Sequence, residues 1–304
     1  MSFLSAQNIS RSYGKIKAVD DFSLDAERGE IFALVGPDGA GKTSFIRVLC
    51  HLIDADGGKF VVDGKDAFSN FEAIKPLLGY MPQQFSLYPD LSVEENLTFY
   101  GGIFGVTKDR FKKKRDELYE FSALGPFAKR RAGALSGGMK QKLALSCALI
   151  HEPEILILDE PTTGVDPLSR RQFWEILLTL KRQGSTILVS TPYMDEVARA
   201  DRACFMFGGK KLSEGTPTEL ASHFEGQIFF ADIEPTSHVV TDLNKIQGIT
   251  ARRFGAGMHI YIKADDRIER YMDAFGKVGI TTSQLRTIAP ELEDRFIQLM
   301  EQPA

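Results

Sequence analysis

The chain has 304 residues, 43% hydrophobic and 26% charged, which excludes an intrinsically disordered protein and suits a folded one of one large or two modest domains. Its 37 basic and 41 acidic side chains give a net charge of −4, which argues against a dedicated nucleic-acid binder. Cys50, Cys147 and Cys204 are scattered and make no CxxC pair, the amino terminus lacks a secretory apolar run, and no stretch reaches the ~18 apolar residues of a spanning helix, so a cytoplasmic chain with reduced thiols is expected.

Residues 1 to about 32 read as short strands broken by turns. IFALVG follows as a compact apolar run typical of a buried strand, and it leads through PDGAGKT into TSFIRVLCHLI, which has helical spacing. From Phe71 to Leu149 the pattern is mainly helical, with VEENLTFYGGIFG, DRFKKKRDELYEFSALG and GGMKQKLALSCALI as the expected helices. EILILDE is a second buried strand, LSRRQFWEILLTLKRQG an amphipathic helix, STILVSTP a strand and MDEVARAD a helix. This alternation predicts a mostly parallel sheet covered on both faces. Past Gly215–Phe224 the order becomes strand, helix, hairpin, helix, strand, helix, which suits a small two-layer α+β domain.

Gly36-Pro37-Asp38-Gly39-Ala40-Gly41-Lys42-Thr43 satisfies GxxxxGK[ST], with Ser44 next in the helix. Glycines let backbone N–H groups converge on phosphate oxygens at the positive end of the following helix. Lys42 would reach the β- and γ-phosphates, and the Thr43 hydroxyl would ligate Mg²⁺. Asp159 and Glu160 end the strand ILILDE, where nucleotide crevices open. Asp159 is placed to hold Mg²⁺ and Glu160 to polarise an attacking water. Ser136, Gly137 and Gly138 open a helix, so a hydroxyl and backbone donors there could face an anion.

These motifs, in this order, resemble those of the nucleotide-binding subunits of ATP-binding cassette (ABC) transporters over about residues 2 to 220. GPDGAGKT resembles the Walker A loop, LSGGMKQ the signature, and ILILDE the Walker B strand with its catalytic glutamate. Gly164-Val165-Asp166 resembles the D-loop, Gln83 the Q-loop glutamine and Tyr13 the aromatic that stacks on adenine. In wording the chain is most similar to the amino-terminal cassettes of YbhF-like bacterial drug exporters, on GPDGAGKT and LGPF…LSGGMKQK. The resemblance implies a P-loop ATPase fold: an ABC nucleotide-binding domain over 1–220 with a helical subdomain at about 84–150, then a small carboxyl-terminal domain over 221–304. It implies ATP and Mg²⁺, with Thr43, Gln83 and Asp159 around the metal and Lys42, Gln83 and Glu160 at the reacting phosphate.

The same resemblance implies partners, integral-membrane permease subunits and a second cassette, identical or different, and places the chain peripherally on the inner face of the cell membrane. Ser136 and Gly138 would act on the opposite nucleotide, and no nucleic acid is expected. One position departs from the family. Where a histidine is usual, in a phrase like STHYMDE, this chain has Pro192, which has neither a ring nitrogen nor an N–H. Slow or absent hydrolysis at this chain's own site is therefore one expectation, and a tolerated change with Glu160 retained is the other. A non-catalytic subunit, a soluble non-transport cassette ATPase and an importer subunit stand as alternatives. The basic clusters Lys112–Arg115 and Lys129–Arg131 read first as solvated helix faces and second as contacts to acidic lipid or a permease. Phe85, Leu87, Tyr88 and Leu91 lie where the family receives a helix of the membrane subunit, or pack in the core. The segment APELEDRFIQLM resembles the ending of many export-type subunits.

Overall fold

A computed structural model of the protein describes residues 2–301. The chain splits into two compact units, Met1–Pro217 and Thr218–Ala304, each with its own apolar core. The first begins with two long antiparallel strands, β1 (Leu4–Tyr13) and β2 (Ile16–Ala26). Gly14, at φ +60°, opens the two-residue turn between them. β3 (Ile31–Val35) is buried at every position and passes through the glycine loop into α1 (Lys42–Leu49). β4 (Gly57–Val62) and β5 (Lys65–Asp66) return to β1, making a four-stranded antiparallel sheet in the order β2-β1-β4-β5.

α2 (Phe71–Ile74) leads into β6 (Leu78–Met81). The helical region follows as α3 (Val93–Ile103), α4 (Lys108–Ser122) and α5 (Gly137–Leu149). Ser92 and Glu95 form a reciprocal capping box on α3, so its start is set locally. α4 buries only Leu118 and Ser122. Three of its basic side chains are paired: Arg110 with Glu152 at 2.7 Å, Lys114 with Glu117 at 3.4 Å, and Arg115 with Glu94 at 2.9 Å. Part of the Lys112–Arg115 charge is thus already answered within the chain.

β7 (Ile155–Asp159) is wholly buried and precedes α6 (Pro167–Arg182). Asp166 caps α6 by accepting from the Ser169 N–H, Pro167 occupies the first turn, and Lys181 and Arg182 sit at the negative end. Its apolar stripe, including Phe173, Trp174, Leu177 and Leu180, is buried. Next come β8 (Thr186–Thr191), the single turn α7 (Met194–Val197), β9 (Arg202–Phe207) and β10 (Lys210–Gly215).

The main sheet has the order β10-β9-β3-β8-β7-β6, parallel except for β10. Met81 pairs with Leu158, Asp159 with Ser190 and Thr191 with Val35, so four strands end at one level. This arrangement corrects two expectations. β6 is a strand inside the stretch read as mainly helical, and MDEVARAD supplies one helical turn rather than a full helix.

α8 (Pro217–Ser222) starts at the end of the first unit. The second contains β11 (Gln227–Ala231), α9 (Ser237–Asn244), β12 (Ile249–Phe254), β13 (Gly257–Ile262), α10 (Met272–Lys277), β14 (Leu285–Ile288) and α11 (Leu292–Glu301). The antiparallel order β12-β13-β11-β14 matches the strand–helix–hairpin–helix–strand–helix reading. Buried Asp294 fastens α11 to β13, accepting from Tyr261 Oη at 2.7 Å and lying 2.9 Å from His259 Nδ1. Burial raises its pKa, but these donors and the Glu291 N–H outweigh that and hold the carboxyl below the usual range.

The join between β3 and its loop gives a direct test. A Cβ on Gly36 would lie 2.2 Å from the Met206 backbone oxygen in β9, whereas one on Gly102 in α3 meets nothing within 4 Å. Gly36→Ala should lose about 1–3 kcal/mol in urea unfolding, and Gly102→Ala should gain up to about 1 kcal/mol.

Candidate functional site

The carboxyl edge of a parallel sheet is where loops from distant parts of a chain meet. Here it joins the loop after β3, the segment after β6, the turn after β7 and the segment after β8. Tyr13, Asp38, Gly39, Ala40, Gly41, Lys42, Thr43, Ser44, Gln83 and Glu160 line one cavity of about 360 Å³. Gly41 has φ +110°, and a Cβ there would fall 2.1 Å from Ala18 O, so only glycine fits. The first turn of α1 contains no acidic residue, leaving its free N–H groups available to an anion.

Lys42 is 3% exposed and all three of its N–H donors are taken. They go to Gly36 O at 2.7 Å, Pro37 O at 3.0 Å and Glu160 Oε1 at 2.9 Å. Glu160, 4% exposed, also accepts from Gln83 Nε2 at 2.9 Å and Thr163 Oγ1 at 3.1 Å through its second oxygen. Its φ is +46°, a conformation sparsely used by side-chain-bearing residues, and its N–H donates to Ser190 Oγ.

Asp159 lies behind the cavity. Its Oδ1 accepts from Ser190 Oγ at 2.8 Å and Thr43 Oγ1 at 3.2 Å. Its Oδ2 is buried with no hydrogen-bond partner. Burial pushes this carboxyl above its ordinary range. An orphan carboxylate oxygen beside a threonine hydroxyl is a hard, all-oxygen donor set, and it fits Mg²⁺. Gln83 is within reach of the same cavity through the carboxylate of Glu160.

Tyr13 is 45% exposed, with the guanidinium of Arg11 5.1 Å from the centre of its ring. Arg11 is in turn held by Asp56 at 3.3 Å and Asp54 O at 2.9 Å. Ser136 and Gly138 are not among the cavity's lining residues; Ser136 is the exposed cap of α5 and accepts from Met139 N–H at 3.4 Å. Pro192 follows β8 directly beside the β3–loop junction, as the Val35–Thr191 pairing requires. The next N–H, of Tyr193, is taken by Thr191 Oγ1 at 3.1 Å. Three residues that the sequence reading did not single out belong to this arrangement: Ser190, Thr163 and Arg11. Ser190 could be found only from the register that sets it opposite Asp159.

A second, more apolar cavity of about 500 Å³ is lined by residues including Leu52, Phe71, Met81, Leu87, Tyr100 and Phe104. The rings of Phe104 and His151 stack there at 3.7 Å, and burial pulls the His151 imidazole below its ordinary pKa. Exposed Tyr88 and Phe99 meet edge-on at 4.7 Å, with Ile103 also exposed. Leu87 is therefore buried beside the groove while Tyr88 is open. All three cysteines are free and buried, and burial pushes their thiols up, which makes them unreactive. Among the described residues no cluster of His, Cys, Asp and Glu could hold a metal by itself, and no helix is long and apolar enough to cross a membrane.

Comparison with known proteins gives a consistent picture. The family model described as "ABC transporter" matches residues 19–163. The chain is 38% identical to the "Probable multidrug ABC transporter ATP-binding protein YbhF" of Escherichia coli (strain K12), over 93% of this chain and 49% of that protein. It thus spans about half the length of that relative. It is 34% identical to the "Nod factor export ATP-binding protein I" of Bradyrhizobium diazoefficiens, over 96% of this chain and 94% of the relative. A bacterial ABC transporter cassette solved in dimeric form superposes with a TM-score of 0.64 at 25% identity, covering 70% of this chain and 98% of its own.

The buried pair of Lys42 and Glu160 makes a prediction independent of any ligand. Lys42→Met leaves a carboxylate buried without its countercharge and should cost about 3–5 kcal/mol in nucleotide-free urea unfolding. Adding Glu160→Gln should recover most of that loss.

Proposed function

The chain belongs to the ABC transporter family of ATP-binding proteins, and on that premise we propose that it hydrolyses MgATP to drive separate permease subunits of a bacterial exporter. The observation that carries this reading is a linked set at one cavity: Lys42 pairs with Glu160 on its wall, and Thr43, also on the wall, donates to Asp159 just behind it. ATP would lie with its adenine on the open face of Tyr13 and its phosphates on the 36–44 loop. Lys42 would leave Glu160 for the β- and γ-phosphates, an exchange of one anion for another. Thr43, Asp159 Oδ2 and Gln83 would hold Mg²⁺, which when bound supplies positive charge that neutralises the phosphates. Glu160, freed from Lys42, would take a proton from water as the water oxygen bonds to the γ-phosphorus and the bridging P–O bond breaks, releasing ADP and phosphate.

Support for a dimer comes from the position of the signature. Ser136 and Gly138 do not line the cavity of their own chain, which suits action on a nucleotide held by a second cassette. A signature in this position serves an identical or a different second cassette. The apolar groove beside Tyr88 and Phe99 suits a short cytoplasmic helix of a permease, and such docking would place the chain on the inner face of the membrane. Closure on ATP and reopening after hydrolysis would transmit work because the two states bind nucleotide differently. The names of the export relatives support outward transport.

Pro192 supports a second reading, a cassette that binds nucleotide but turns it over slowly, since one preorganised donor to the phosphate is commonly worth ~10²–10³ in rate. Phosphate release by the purified chain separates the two. Turnover that Glu160→Gln abolishes supports hydrolysis at this site, and Pro192→His should then raise it up to about 10²-fold. MgATP binding without any phosphate release supports the non-catalytic reading.

A further inference from the structure

Three donors hold the Glu160 carboxylate: Lys42, Gln83 and Thr163. Two of them have other partners once MgATP is bound, since Lys42 turns to the phosphates and Gln83 to the metal. Thr163 has no such alternative, because no phosphate-binding element contains it. We propose that Thr163 is the positioning residue for Glu160, aiming its carboxylate at the attacking water, an inference that rests on the hydrolytic reading of this site.

The backbone builds this contact. Glu160, at φ +46°, turns the chain sharply after β7, and the Thr163 N–H closes the turn on Glu160 O at 3.2 Å. The hydroxyl of Thr163 is thereby returned to the carboxylate three residues earlier. The turn is itself fastened from below. Thr162 Oγ1 donates to Glu196 Oε1 at 2.7 Å, and Thr191 Oγ1 donates to Glu196 Oε2 at 2.6 Å. All three of these residues are buried, so Glu196 links the turn after β7 to the end of β8.

That linkage matters because of what β8 does not provide. Pro192 has no N–H to give, and the Tyr193 N–H is taken by Thr191. The first two positions after β8 therefore offer no backbone donor to the γ-phosphate or to the carboxylate that faces it. The hydroxyl of Thr163, within the linked turn, reaches the Glu160 carboxylate directly. A hydroxyl donating to an ionised carboxylate is a charge-assisted hydrogen bond, and at 3.1 Å this one narrows the rotamers open to Glu160.

Steady-state phosphate release and MgATP titration by the purified chain test the assignment. Thr163→Val, nearly isosteric but without the donor, should lower kcat by ~10- to 100-fold, as loss of alignment does. KM for ATP and the thermal midpoint should stay at wild-type values, and Thr163→Ser should restore kcat to within about threefold, because it returns the hydroxyl. A wild-type kcat in Thr163→Val overturns the role of Thr163 and leaves the hydrolytic reading standing. So does a loss that Thr163→Ser fails to rescue, or one that appears in KM alone. A wild type that binds MgATP but releases no phosphate overturns the hydrolytic reading and the role of Thr163 with it.

Discussion

A lysine and a glutamate, both almost inaccessible to water, face each other 2.9 Å apart at the carboxyl edge of the main sheet. Removing two such charges from water is costly unless each finds the other and the remaining hydrogen-bonding groups are satisfied. Both conditions are met, by two loop carbonyls around Lys42 and by Gln83 and Thr163 around Glu160. The pair spans residues more than a hundred positions apart, so it exists only if β3 and β7 end at one level with β8 between them. It also leaves the ammonium full. A nucleotide can use Lys42 only by displacing a partner, and the partner of like charge to phosphate is the Glu160 carboxylate. In the cycle we propose, nucleotide binding and release of Glu160 are thereby one event.

The rest of the site follows from where the strands stop. β3, β7 and β8 are buried at every position, which parallel strands covered on both faces require. Because Asp159 pairs with Ser190, one hydroxyl can donate to the Asp159 carboxylate and accept from the N–H of the next residue. The glycine loop contributes little side-chain chemistry. Its work is done by backbone, which is why Gly36 and Gly41 sit where any Cβ would collide with a main-chain oxygen.

Much of this was legible in the residues. GPDGAGKT and ILILDE carry their function in composition and spacing, and α6 announces itself through Asp166, Pro167 and an apolar stripe of period 3.6. The strand–helix order of the second unit was also readable from alternation. β6 was not, because LGYM is four residues long with Gly79 at its centre, and its neighbours are helical. β4 and β9 escaped for a related reason, since they pair with β1 and β3, which are distant in sequence; β10 pairs with neighbouring β9, but KKLSEG has a single apolar residue to mark it. Within the site, the residue types were legible but the contacts were not. The positive φ of Glu160, the return of Thr163 and the register of Ser190 are tertiary facts. Arg11 behind Tyr13 looks in sequence like any surface arginine.

In the cycle we propose, nucleotide phosphate replaces Glu160 as the partner of Lys42. Calorimetric titration of a non-hydrolysable ATP analogue into the wild type and into Glu160→Gln measures that exchange without turnover. If wild-type binding must first break the buried pair, the variant should bind the analogue more tightly, by about tenfold, the equivalent of ~1.4 kcal/mol. Equal affinity, or weaker binding by the variant, would contradict the claim.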